Sequence, residues 1–80
     1  MKTYTFSTLG RDNERYYPKK RCKFVGAGLT DFEWTTDIKR ALCWEHQDPV
    51  ETIAICFSDS QIIEITGTIS KIYTIIKELA

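Results

Sequence analysis

Cys43 and His46 stand three residues apart in "CWEH". Both side-chain types bind transition metals and serve in nucleophilic catalysis. A structural zinc needs four such ligands, however, and the other cysteines, Cys22 and Cys56, stand singly and far away in the chain. The expectation is no metal, with an assembly of Cys43 and His46 with distant residues left open. Catalysis by the pair would need a base aimed at a thiol of lowered pKa inside a pocket, and the spacing i, i+3 on one helix gives poor geometry for that. His46, the only histidine, is instead expected at a helix end, where a cation suits the dipole. The carboxylate pairs Asp31/Glu33 and Glu45/Asp48 carry nothing that separates them from a solvated surface. "GAG" at 26–28 lacks the third glycine of a dinucleotide fingerprint and runs into Leu-Thr-Asp rather than a helix. The reading is a non-enzymatic chain without a cofactor.

Binding chemistry is better represented. In "ERYYPKKRCKFVGAG", residues 14–28, Tyr16 and Tyr17 precede a proline and a run of cations. If residues 19–25 are extended, Lys19, Arg21 and Lys23 share one face at roughly 6.6 Å intervals, with Lys20, Cys22 and Phe24 on the other. Together with Arg15 and the tyrosines, such a row fits an acidic or polar protein partner. It also fits a nucleic acid, whose phosphates it would contact and whose bases it would stack. The plain alternative is an edge strand guarded by lysine, its tyrosines covering the core rim. A second candidate surface is the acidic flank Asp31, Glu33 and Asp37, with Glu45, Asp48 and Glu51 beyond it. Trp44 is an interface anchor if exposed, and structural if it packs beneath the "HQDP" turn.

The formal net charge is zero. Residues 1–23 nevertheless hold seven Lys/Arg against two Asp/Glu, and residues 24–80 hold four against nine. Partners meet local fields, so the split matters more than the total unless the two regions pack together. Eighty residues make one domain with a thin core. Three cysteines, an odd number, indicate reduced thiols and a cytoplasmic location. No apolar run approaches the length of a membrane span, and the first residues lack the pattern of a signal peptide.

These side chains need elements to hold them. "KTYTFST" alternates as a strand with one buried face, and "LGRDNER" reads as a loop. Pro18 would open an edge strand over "KRCKFVG", the glycines at 26 and 28 would reverse the chain, and "DFEWTT" would return. "TTDIKRALCWEH" reads as a short helix capped by Thr35 or Thr36, with Ile38, Ala41 and Leu42 on its buried side. In "DPVETIAICFSD", Asp48, Pro49 and Glu51 are helix-start signals, whereas Ile53, Ile55 and Phe57 alternate; a central strand is favoured. "IIEITGT" is a strand. "SKIYTIIKEL" aligns Ile72, Ile75, Ile76 and Leu79 on a helical stripe behind Ser70. The expected fold is α+β, a small, mostly antiparallel sheet with two helices on one face, in the order β-β-β-α-β-β-α.

The segment "FEWTTDIKRALCWE" resembles small phage- and prophage-encoded accessory proteins, in which a strand passes through an aromatic-Thr-x-Asp-Ile motif into a short helix. The residues that carry the likeness are Trp34, Thr35, Asp37, Ile38, Ala41 and Trp44, about a sixth of the chain. The resemblance assigns no active site. It implies a compact protein that binds and blocks a host protein, including components of restriction or CRISPR defence (the anti-CRISPR type). The expectation is therefore a protein-binding inhibitor. A nucleic-acid-binding module using the basic strand 15–23 is the alternative, and a homodimer through an edge strand is the further partner expected.

Overall fold

A computed structural model describes residues 1–21, 32–67 and 71–79. Five strands form one antiparallel sheet: β1 (Lys2–Leu9), β2 (Arg15–Arg21), β3 (Phe32–Thr35), β4 (Gln61–Thr66) and β5 (Ile72–Glu78), in the spatial order β3-β2-β1-β4-β5. Among the described residues there are also one helix, α1 (Gln47–Ala54), and a 3-10 turn, Ile38–Arg40. The α+β class and the antiparallel sheet match expectation. The number and placement of the helices do not.

β1 is the central strand, and its middle residues Thr5, Phe6 and Ser7 are buried on both faces of the sheet. Phe6 is fully buried beneath α1 and gathers Phe32, Trp34, Trp44 and Phe57 around its ring, with centroids 5.5–6.2 Å away. Val50, Ala54 and Ile62 close this core. Across the sheet, a smaller cluster joins Ile63 and Ile65 of β4 to Ile38, with Tyr17 and Cys43 against it. The helix and the 3-10 turn therefore lie on opposite faces rather than together.

Three expected elements change. First, residues 49–57 do not form a strand. Val50 and Ala54 are buried one helical turn apart, and Ile53 and Phe57 pack against the same core, so the apolar side follows a period of 3.6. Pro49 is tolerated because the first-turn amides have no intrahelical acceptor. His46 accordingly lies at the N-cap of α1 and not at a helix C-terminus, and its side chain makes no capping bond.

Second, the helix expected over 35–46 contracts to the 3-10 turn. Asp37 is its N-cap and accepts from the Lys39 amide at 3.0 Å. Ala41 is already extended. Beyond it the Leu42 amide donates to the Pro18 carbonyl at 2.6 Å, and Trp44 exchanges two 2.7 Å hydrogen bonds with Tyr4. These sheet-like bonds employ the backbone groups that a continuing helix would need.

Third, residues 72–78 of the expected helix form strand β5. Ile72, Tyr73, Thr74, Ile75 and Ile76 are all β-branched or aromatic, the types that fit a pleated surface. A bulge places Ile76 as an extra residue where Ile62 and Ile63 pair with Lys77 and Ile75.

The basic segment also changes place. β2 begins at Arg15 and contains Pro18, and it lies between β3 and β1 rather than at an edge. β2 pairs with β1 only at Thr8–Tyr16 and Leu9–Arg15. Past that point the segment 42–44 takes its place beside β1. Pro18, which has no amide to donate, offers only its carbonyl there, which is why a proline is accommodated inside the sheet.

Candidate interaction surface

The five-residue loop between β1 and β2 positions the first cation and the first tyrosine. Gly10 donates to Glu14 at 2.8 Å, and Asn13, in the left-handed region at φ 65°, donates back to Gly10 at 3.1 Å. Tyr16 donates its hydroxyl to Asp12, whose carboxylate also accepts from the Glu14 amide. The Tyr16 hydrogen bond, with help from that amide, holds the Asp12 carboxyl below the ordinary carboxylate range. The same bond raises the Tyr16 phenol. Arg15 donates to the Asp59 carbonyl, tying β2 to the turn before β4. Tyr17 is half-buried against Ile38, Ile63 and Ile65, and burial first, then the nearby Tyr73 phenol, raises its pKa.

Of the candidate basic row, then, Arg15, Tyr16 and Tyr17 have intramolecular partners. Lys19 and Lys20 are exposed. The strict alternation expected across 19–25 is broken by a bulge between Pro18 and Lys20, which sets Lys20 opposite Glu33 and Arg21 opposite Phe32. Lys23 and Asp31 lie outside the described residues, as do Cys22, the reversal at 26–28 and the Ser70 cap. On the acidic flank, Glu33 is exposed, and Asp37 caps the 3-10 turn while pairing with Arg40 at 3.8 Å. The charge split is partly met inside the molecule, since Lys2 of the basic half pairs with Glu64 of the acidic half at 3.6 Å. Trp44 is partly buried and packs on Phe6 and Phe32 at 6.2 and 6.3 Å, so its ring belongs to the core rim.

Cys43 is partly buried beside Ile38, Ile63 and Ile65, while His46 is exposed at the start of α1. Among the described residues no three of His, Cys, Asp and Glu come together as a metal site. Among the same residues no helix is long and apolar enough to cross a membrane.

The surface that the sequence reading missed is β5. It is the outermost strand on one side of the sheet, and all seven of its residues are exposed. Ile72, Tyr73, Ile75 and Ile76 retain 65, 52, 51 and 39% of their accessible surface. Its two charged side chains are turned to intramolecular partners: Lys77 to Glu51 of α1, and Glu78 to Gln61 of β4 at 3.2 Å. The ion pair with Lys77 holds the Glu51 carboxyl below its ordinary pKa. What remains, residues 72–76, is a run without charge, proline or glycine in a strand that is outermost among the described residues. The signal was present in "IYTII", whose β-branched and aromatic composition competes with its helical spacing.

Compared with known protein families, with curated proteins and with solved structures, the chain finds no significant match.

Proposed function

We propose that this protein is a non-enzymatic interaction module that binds another protein through the edge strand β5. One observation carries the reading: a seven-residue outer strand exposes four large apolar side chains, while both of its charges are engaged by neighbouring side chains of the same molecule. An outer strand offers unpaired backbone donors and acceptors to an extended segment of a partner, and alternate side chains on it supply selectivity. Soluble domains blunt such edges unless the edge is used. The most concrete form of the proposal follows the resemblance of residues 32–45: a small phage-type inhibitor that occupies and blocks a host defence protein.

Lys19 and Lys20 lie on the other side of the sheet from β5, with β1 and β4 between. They form a separate surface, and their role is tested separately. Affinity capture from bacterial lysate, with and without nuclease, is compared for the wild type, Ile75→Lys and the double variant Lys19→Glu/Lys20→Glu. The expected result is a stoichiometric protein that survives nuclease, is lost with Ile75→Lys and is retained by the double variant. Capture that vanishes with nuclease and with the lysine reversal, but not with Ile75→Lys, would transfer the function to nucleic acid and β2.

A further inference from the structure

Resting on the reading of β5 as a contact surface, we infer that at high concentration the free protein pairs this edge with β5 of a second copy, antiparallel about a two-fold axis through Thr74. The first reason is self-complementarity. A two-fold axis perpendicular to the sheet keeps side chains on their own face, so each residue must meet a residue of the same face in the other copy. Tyr73 and Ile75 share the face of Ile65 and Ile63, their register partners in β4. With the axis at Thr74, Tyr73 of each copy stands opposite Ile75 of the other, and Thr74 stands opposite itself. Aromatic–β-branched and Thr–Thr pairs are among the favourable cross-strand combinations. The apolar cluster of Ile63 and Ile65 then continues across the junction without a break.

The second reason is electrostatic. Edge strands are usually kept apart by lysine. The cation within β5, Lys77, is bound to Glu51 on the helix face, past the bulge, while Tyr73 and Ile75 lie on the other face. The chain also carries no net charge, so two copies meet little long-range repulsion. A single strand pairing buries less than a standard interface, so the dimer is weak and concentration-dependent. It must open before β5 can receive another protein, which makes self-pairing a competitor of the proposed contact.

Sedimentation equilibrium of the full chain tests this. The wild type is expected to pass from monomer to dimer as its concentration rises toward roughly 1 mM. Tyr73→Lys/Ile75→Lys places like charges opposite one another in both pairs and is expected to remain monomeric. Tyr73→Lys/Ile75→Glu places opposite charges there and is expected to dimerise again. A wild type that stays monomeric throughout overturns the inference, as does a dilysine variant that dimerises like the wild type. Should either variant fail to fold, Thr74→Cys in a Cys56→Ser background is oxidised and its cross-linked peptides are identified by mass spectrometry. A 74–74 link supports the register and its absence overturns it. A monomeric wild type whose capture of a protein still depends on Ile75 would sink self-pairing alone. A dimer whose capture ignores Ile75 would sink the contact reading alone.

Discussion

Lys77 of the edge strand β5 is ion-paired with Glu51 of α1, so the cation of that strand faces the helix and its outer edge is left to apolar side chains. The pair also ties the last strand of the sheet to its helix, and it sets a pH dependence. Lys77 lowers the Glu51 carboxyl from its ordinary value of 4.5. A group whose folded pKa is depressed contributes stability above its unfolded value, and that contribution is lost as pH falls through the folded one. The tether is therefore expected to hold at neutral pH and to fail in acid, below about pH 4.5. Hydrogen exchange of the β5 amides followed from pH 7 downward should show protection falling in that window, after correction for the intrinsic rate. Glu51→Gln should lower protection at neutral pH and remove the dependence. A Glu51→Gln profile with the wild-type slope would show that the pair does not hold β5.

The centre of the fold is more sensitive. Phe6 is fully buried and is ringed by four other aromatic side chains. Deleting a buried phenyl ring removes its transfer free energy and leaves a cavity, together about 3–5 kcal/mol. Small domains have total stabilities toward the lower end of about 5–15 kcal/mol. Phe6→Ala is therefore expected to leave the chain at the margin of folding, and Phe6→Leu to lose less. Urea melts of the three proteins at neutral pH measure this. A loss below about 1 kcal/mol for Phe6→Ala would mean that the aromatic cluster does not organise the core.

Strands β1, β3 and β4 were legible from the residues. β1 and β3 alternate, with Tyr4 and Phe6 in one and Phe32 and Trp34 in the other, while β4 is a short β-branched run buried on both faces, Ile62 toward Phe6 and Ile63 and Ile65 on the opposite side. The rest turned on which of two periods found a surface to pack against. Residues 50–57 hold both an alternating set, Ile53, Ile55 and Phe57, and a helical set, Val50, Ile53, Ala54 and Phe57. The helical set meets Phe6, and Ile55 is left 65% exposed. In β5 the bulge sets Ile75 and Ile76 side by side, and a strand with such a slip reads like the i, i+3, i+4 spacing of a helix. The intramolecular ties of the candidate basic row were illegible for a different reason. Arg15 is fixed by Asp59, 44 residues away, and Tyr17 by the cluster around Ile63; neither contact leaves a trace near the residue in the chain.

Gly10 sits where a side chain would collide with its own loop. A Cβ there would lie 2.6 Å from Tyr16 Cε2 and 2.7 Å from Asp12 Oδ1. Gly10→Ala must displace the Tyr16 ring, break its bond to Asp12, or both, at about 1–3 kcal/mol by analogy with overpacking. Two measurements check the cause. In a Tyr16→Ala background the penalty of Gly10→Ala should shrink, since the nearest obstacle is gone. In the single variant the Tyr16 phenol, now raised by its bond to Asp12, should return toward 10.0 in an ultraviolet titration. An unchanged titration alongside a large loss of stability would place the strain elsewhere in the loop.

Thr5 gives the opposite sign. Its side chain faces Ile63 across the β1–β4 pair and is fully buried, and its hydroxyl has no hydrogen-bond partner among the described residues; the same holds for Ser7. A buried hydroxyl without a partner keeps its desolvation cost of about 1–3 kcal/mol, and a methyl group of the same shape does not. Thr5→Val preserves the branched outline that suits a strand, so it is expected to raise the unfolding free energy by about 1 kcal/mol or more. Ser7→Ala removes the hydroxyl without filling its space, so its gain should be smaller. Paired urea melts decide the matter. A destabilised Thr5→Val would mean that the hydroxyl is bonded in solution, and the face of β1 turned away from α1 would then be more polar than its neighbours Ile63 and Ile65 imply.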